Sequence, residues 1–208
     1  MAPRYRSLLA ALVALAFAAP AARAGIPAPG SCTCPSYLVG SPDGALVAHV
    51  VVRDIANLPL ANVQVVIDFS NCPQWHPCPS VCTSCSVDAV SRTVWRYTGT
   101  NGVADFDLRL GAGGCPNPPV VRIYADGVLV GAPGFASLDF DGDLSVTATD
   151  VTAVHALIGT FDRRADFDGD WAVTAADEAI VRAHLGASCD PTTPARSHTW
   201  GGLKSIYR

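Results

Sequence analysis

Asp139-Phe140-Asp141-Gly142-Asp143-Leu144-Ser145-Val146-Thr147-Ala148-Thr149-Asp150 recurs 27 residues on as Asp166-Phe167-Asp168-Gly169-Asp170-Trp171-Ala172-Val173-Thr174-Ala175-Ala176-Asp177. Both copies place Asp at positions 1, 3, 5 and 12. Alternate residues of a tight turn converge on one centre and the twelfth closes the shell, the oxygen cage that a hard cation such as Ca²⁺ requires. Two calcium ions are therefore expected, held by Asp139, Asp141, Asp143 and Asp150 and by Asp166, Asp168, Asp170 and Asp177.

The same region holds ten of the chain's 18 acidic residues, between Asp139 and Glu178, against Arg163 and Arg164 alone. Carboxylates so crowded repel one another unless cations sit among them, so metal should promote folding here. A merely solvated acidic run would lack apolar periodicity. These repeats have it: Val146 and Val173 at position 8, then Val151, Val154, Leu157 and Ile158 in one copy and Ile180, Val181, His184 and Leu185 in the other. One short helix is expected after each loop, the two packing about a pseudo-twofold axis.

At the start of the chain, Met1 to Arg6 is basic, Leu8 to Phe17 is apolar, and Ala22-Arg23-Ala24 is a small-x-small cleavage site. Residues 1–24 read as a secretory signal peptide, with the mature chain from Gly25. The apolar run is shorter than the roughly 20 residues a membrane span needs. Without the leader the charge is about −7 by simple counting, which disfavours nucleic acid and anionic membranes as partners.

Eight cysteines follow the leader: Cys32, Cys34, Cys72, Cys78, Cys82, Cys85, Cys115 and Cys189. An even number in an exported chain reads as four disulfides, whose connectivity stays open among 105 possibilities. The Cys72, Cys78, Cys82, Cys85 cluster also admits a zinc reading through its two-residue gap.

Between leader and repeats the period is two. Val63, Val65, Ile67 and Phe69 form one apolar row, and Ala104, Phe106, Leu108 and Leu110 another. These, with Leu46 to Arg53, Val90 to Tyr97, Val120 to Ala125 and Val128 to Val130, are expected antiparallel strands, turning at Asn101-Gly102 and Asp126-Gly127. Six or seven short strands over about 110 residues suggest a β-sandwich.

Pro59-Leu60-Ala61-Asn62-Val63-Gln64-Val65, followed by Thr100-Asn101-Gly102-Val103-Ala104-Asp105-Phe106, resembles bacterial Ig-like and carboxypeptidase-regulatory-like β-sandwich domains, which implies a spacer or adhesion module. The paired loops, each followed by one helix, resemble a type I dockerin. That resemblance implies one Ca²⁺ per loop, with the Ser145 and Ala172 carbonyls as further ligands. It also implies a cohesin-like extracellular partner, read at Ala148, Thr149, His155 and Ala156 and at Ala175, Ala176, Arg182 and Ala183. Leu144 and Trp171 stand at position 6, where the turn wants a positive φ and Gly is usual, at a cost of order 1 kcal/mol each.

The expected organisation is multidomain. A signal peptide (1–24) and a Cys-containing segment (25–44) precede an Ig-like antiparallel β-sandwich (45–136) with a Cys-rich insertion (71–86). A small all-α dockerin-like calcium-binding module (137–189) and a flexible tail (190–208) follow. His49, His76, His155, His184 and His198 accompany no nucleophile motif or zinc helix, so no enzyme is expected. The expected role is that of a secreted or cell-surface calcium-binding structural or interaction protein. The alternative is a polysaccharide-degradation component, carbohydrate-binding or a small glycoside hydrolase tethered through cohesin, with Trp75, Trp95 and Tyr97 as the sugar platform.

Overall fold

The computed structural model describes residues 25–111, 113–115 and 121–189; the expected leader and tail lie outside them. Eleven strands are described: β1 (Tyr37–Gly40), β2 (Val47–Val51), β3 (Gln64–Asp68), β4 (His76–Pro77), β5 (Ser86–Asp88), β6 (Thr93–Tyr97), β7 (Val103–Asp107), β8 (Leu110–Gly111), β9 (Arg122–Ala125), β10 (Val128–Gly131) and β11 (Gly134–Ser137). Helices α1 (Ala148–His155) and α2 (Ala175–Ala183) follow.

The main sheet runs β10-β9-β3-β6-β5, all antiparallel, with β3 at its centre. Ile67 sits opposite Ile123 on one side and Val94 on the other. The period-two row Val63, Val65, Ile67 and Phe69 is buried throughout, as its alternation predicts. A second ribbon, β2 with β7, closes the core with Val50 opposite Ala104 and Ala48 opposite Phe106. Ala104, Phe106, Leu108 and Leu110 all turn inward. Each large apolar side chain so enclosed contributes about 1.5–3 kcal/mol.

Both expected turns are present. Asp126 and Gly127 have φ of 45° and 80°, the two left-handed residues that suit a tight hairpin between β9 and β10. Gly102 has φ 75°, and a Cβ there would lie 2.7 Å from the Val52 carbonyl oxygen, so no other residue fits.

The multidomain reading with a separate all-α module is overturned. The regular structure of the described chain is mainly strand, and its two helices have only eight and nine residues. Helices this short do not enclose a core by themselves. They pack instead on the parallel pair β1–β11, where Tyr37 faces Gly134 and Gly40 faces Ser137. Ala136 and Leu138 share one buried cluster with Val146, Val151, Val154, Ala165, Phe167, Val173 and Val181, and Tyr37, Val39 and Leu46 pack against it. Leu38 and Phe135, neighbours in the same two strands, belong to the sandwich core. One ribbon thus serves two cores through opposite faces.

The expected apolar stripes are also shortened. The helices end at His155 and Ala183, which leaves Leu157, Ile158, His184 and Leu185 beyond them. Ile158 and Leu185 are exposed.

Three disulfides form where four were expected: Cys72–Cys115, Cys78–Cys189 and Cys82–Cys85. Cys32 and Cys34 remain thiols. Burial, and then the neighbouring Cys32, push the Cys34 thiol up to about 11. The four clustered cysteines are all bonded, which removes the zinc alternative. The Cys-rich insertion has a small anchor of its own, for Trp75 is buried and stacks on Phe69 with ring centroids 6.2 Å apart.

Cys78–Cys189 encloses a separation of 111 residues and ties the insertion to the end of the helical segment. Closing a loop of that order stabilises by about 4.7 kcal/mol in the chain-entropy treatment. Replacing both residues with Ser should therefore lower the unfolding free energy by about 2–5 kcal/mol. Urea denaturation reads the loss, and an unchanged midpoint would show that the tether is passive.

Candidate metal centre

Each loop is built from its own carboxylates. Asp139 accepts backbone N–H bonds from Gly142 (2.8 Å), Asp143 (3.1 Å) and Leu144 (2.8 Å). Asp166 accepts them from Gly169 (2.8 Å) and Trp171 (3.1 Å). At position 12, one oxygen of Asp150 accepts from Phe140 (2.7 Å) and Asp141 (3.1 Å), and the other from Thr147 (2.7 Å). Asp177 repeats this with Phe167 (2.6 Å), Asp168 (3.3 Å) and Thr174 (2.8 Å). The position-12 carboxylate therefore closes the loop and also completes the capping box of the following helix, with Thr147 or Thr174 as N-cap.

Position 6 behaves as the sequence predicts. Leu144 and Trp171 take φ of 71° and 75°. At Trp171 the ring carries the Arg163 guanidinium 3.9 Å from its centroid, and Tyr37 lies on the same cation at 5.9 Å. Contacts of this kind contribute about 0.5–1 kcal/mol at exposed sites, similar in size to the backbone cost.

The two halves complete each other through backbone bonds. Val146 of the first loop donates to Ala187 (2.7 Å) and accepts from Gly186 (2.9 Å), residues that follow α2. Val173 of the second donates to Thr160 (3.0 Å) and accepts from Gly159 (2.9 Å), residues that follow α1. This reciprocal pairing explains why the helices stop so early: the chain beyond each is needed as a strand-like partner for the other loop. Glu178 adds a polar clamp that the sequence reading overlooked. It accepts from His155 Nδ1 (2.7 Å) on α1 and Arg182 Nε (2.6 Å) on α2, and these two bonds, in that order, hold its carboxyl below the usual range. The Glu178–Arg182 spacing of four was legible in the sequence; its partner across the helices was not.

In the first loop Asp139, Asp141 and Asp143 each bring a carboxylate oxygen within 4.8 Å of the others; in the second Asp166, Asp168 and Asp177 do so. Asp150 and Asp170 fall outside these groups. Asp170 accepts from Ala172 N (2.9 Å), and the Ser145 backbone is bridged to Ser188. Asp139, Asp150, Asp166 and Asp177 are all buried. Burying charge is costly unless opposite charge and hydrogen bonds compensate. The strain registers at Asp166, whose carboxyl is held above its usual range by burial first and by the charges of Asp177 and Asp168 after it. A divalent cation among these oxygens would add opposite charge to the hydrogen bonds the carboxylates already accept, so the residues present fit Ca²⁺.

The first loop leans directly on the sandwich. Gly113 N donates to the Asp139 carbonyl at 2.8 Å. A Cβ at Gly111, in β8, would stand 2.3 Å from Asp139 Oδ2 and 2.8 Å from Leu144 Cδ2. The sugar platform is not assembled: Trp75 is buried, and Trp95 and Tyr97 meet edge to face at 84° with centroids 5.8 Å apart.

Gly111→Ala should accordingly displace Asp139 and weaken the first site about tenfold, a difference of roughly 1.4 kcal/mol, while the second is kept. Gly30→Ala is the control, since nothing lies within 4 Å of a Cβ there and its backbone is outside the left-handed region. Calorimetric calcium titration of the two variants checks this, and equal affinities would contradict the contact.

No known family model matches this chain, and no curated protein or solved structure matches it either.

Proposed function

We propose that this chain is an exported, non-catalytic calcium-binding protein in which two ions lock paired dockerin-type loops onto a β-sandwich, which it presents for structural or interaction roles outside the cell. The observation that carries the reading is the convergence, in each loop, of three carboxylate oxygens within 4.8 Å of one another. Oxygen-only donors at that spacing suit Ca²⁺ over a nitrogen- or sulfur-seeking metal.

Three disulfides are compatible with an oxidising exterior. Among the described residues, no helix is long and apolar enough to cross a membrane. Extracellular calcium modules commonly bind at about 10⁻⁴–10⁻³ M, so the loops would be filled outside a cell. His155 and Arg182, two positions at which the resemblance implies cohesin reading, are both engaged with Glu178. Any partner of this face would therefore meet a pre-formed ion-pair surface.

Calorimetry on the full chain should find two bound ions. Calcium at about 100 times the dissociation constant should stabilise the fold by about 2.7 kcal/mol per site, reversed by a chelator. Asp139→Asn with Asp166→Asn should abolish both heat and stabilisation, whereas Asp88→Asn, on an exposed strand, should change neither. Absence of heat at millimolar calcium, with an unchanged melting temperature, would contradict the proposal.

A further inference from the structure

The three disulfides differ in what they can do for the fold. A cross-link stabilises in proportion to the logarithm of the loop it closes. Cys78–Cys189 and Cys72–Cys115 span 111 and 43 residues, and all four of their cysteines are buried. Cys82–Cys85 spans three, and both of its cysteines are only half-buried. This Cys-x-x-Cys pair constrains little chain, and it faces an open groove of about 610 Å³ lined by Pro77, Pro79, Val81 and Val87, by its own two cysteines, and by the buried Cys78.

A cation stands beside it. Arg96 donates from Nη1 to the hydroxyl of Ser84, inside the Cys-x-x-Cys turn, at 2.9 Å. The β5–β6 pairing ends with Ser86 opposite Trp95, and Cys85 and Arg96 are the next residues beyond it on the two chains. The same guanidinium reaches the Asp105 carbonyl, yet its Nε is buried with no hydrogen-bond partner among the described residues. Asp107 is the anion on this turn: its carboxylate accepts from Thr83 N (3.0 Å) and from the Thr83 hydroxyl, next to Cys82, whereas Arg96 holds Ser84, next to Cys85. A fixed positive charge lowers the cost of a thiolate, which is the leaving group in disulfide exchange.

We propose that Cys82–Cys85 is a thiol–disulfide exchange site, whose co-substrate is a dithiol polypeptide laid in the adjoining groove. A donor thiolate attacks Cys82 Sγ; the new S–S bond forms as Cys82–Cys85 breaks, and the electron pair leaves on Cys85 Sγ beside Arg96. The donor's second thiolate then attacks the mixed disulfide and releases Cys82. Two electrons pass to the pair, which takes up from solvent the two protons the donor thiols lost on ionising, and the donor is left as a disulfide. The other two bridges stay closed throughout and hold the scaffold.

The test treats the native full chain with stepped ratios of reduced to oxidised glutathione, traps thiols with N-ethylmaleimide and maps them by mass spectrometry. Cys32 and Cys34 give the labelling that needs no reductant. Cys82 and Cys85 should then label together at a poise that leaves Cys72, Cys78, Cys115 and Cys189 unlabelled and the circular dichroism unchanged. Labelling of Cys82 and Cys85 only in step with the other four would overturn the proposal. Arg96→Gln should slow reduction by a dithiol several-fold and Arg96→Lys should restore it. Equal rates in all three proteins would equally sink it. The glutathione series uses the unaltered protein, so its outcome holds whether or not a variant folds, and neither measurement involves calcium.

Discussion

Everything in this molecule hangs on a parallel ribbon of two four-residue strands whose faces belong to different cores. Successive side chains of a strand point to opposite sides. Along Tyr37–Gly40 that rule sends Leu38 into the sandwich and Tyr37 and Val39 toward the helices; along Gly134–Ser137 it sends Phe135 one way and Ala136 the other. Phe135 meets Phe69 edge to face at 5.3 Å, so the wall is tied to the end of the central strand. Neither core closes without this ribbon, and the carboxylate loops inherit their positions from it.

The acidic repeats sit where that shared wall ends. Leu138 is buried in the helical cluster and Asp139, the next residue, opens the first loop. The loops then satisfy their own backbone with carboxylates, pair reciprocally beyond each helix, and press against β8 through Asp139. Charge repulsion among buried acids opposes this compaction, while the hydrogen bonds and the apolar cluster favour it. An ion in each loop would tip the balance for both cores, because they share the wall from which the loops start.

Much of the sandwich was legible. The rows from Val63 to Phe69 and from Ala104 to Leu110 alternate cleanly because one face of each strand is wet, and both are buried as read. The positive φ at Leu144 and Trp171 followed from loop position alone. What stayed hidden has a common cause. In β1 and β11 both faces are covered, so apolar and small residues follow one another and the period-two signal vanishes. The helices were expected to run on through Leu157 and Leu185 because apolar spacing does not reveal that Gly159, Thr160, Gly186 and Ala187 are claimed by the opposite loop. Reading the repeats as a free-standing helical module failed for the same reason: the partner surface lies about a hundred residues earlier in the chain, at Tyr37 and Val39.

Amide hydrogen exchange across the whole chain, with calcium and with chelator, tests the shared-wall account most directly. If one ribbon couples the two cores, calcium should slow exchange in the central strand, Gln64–Asp68, together with the loops, since opening either core exposes the other. Protection confined to residues 139–189, with exchange in that strand unchanged, would show two independent units and contradict the account.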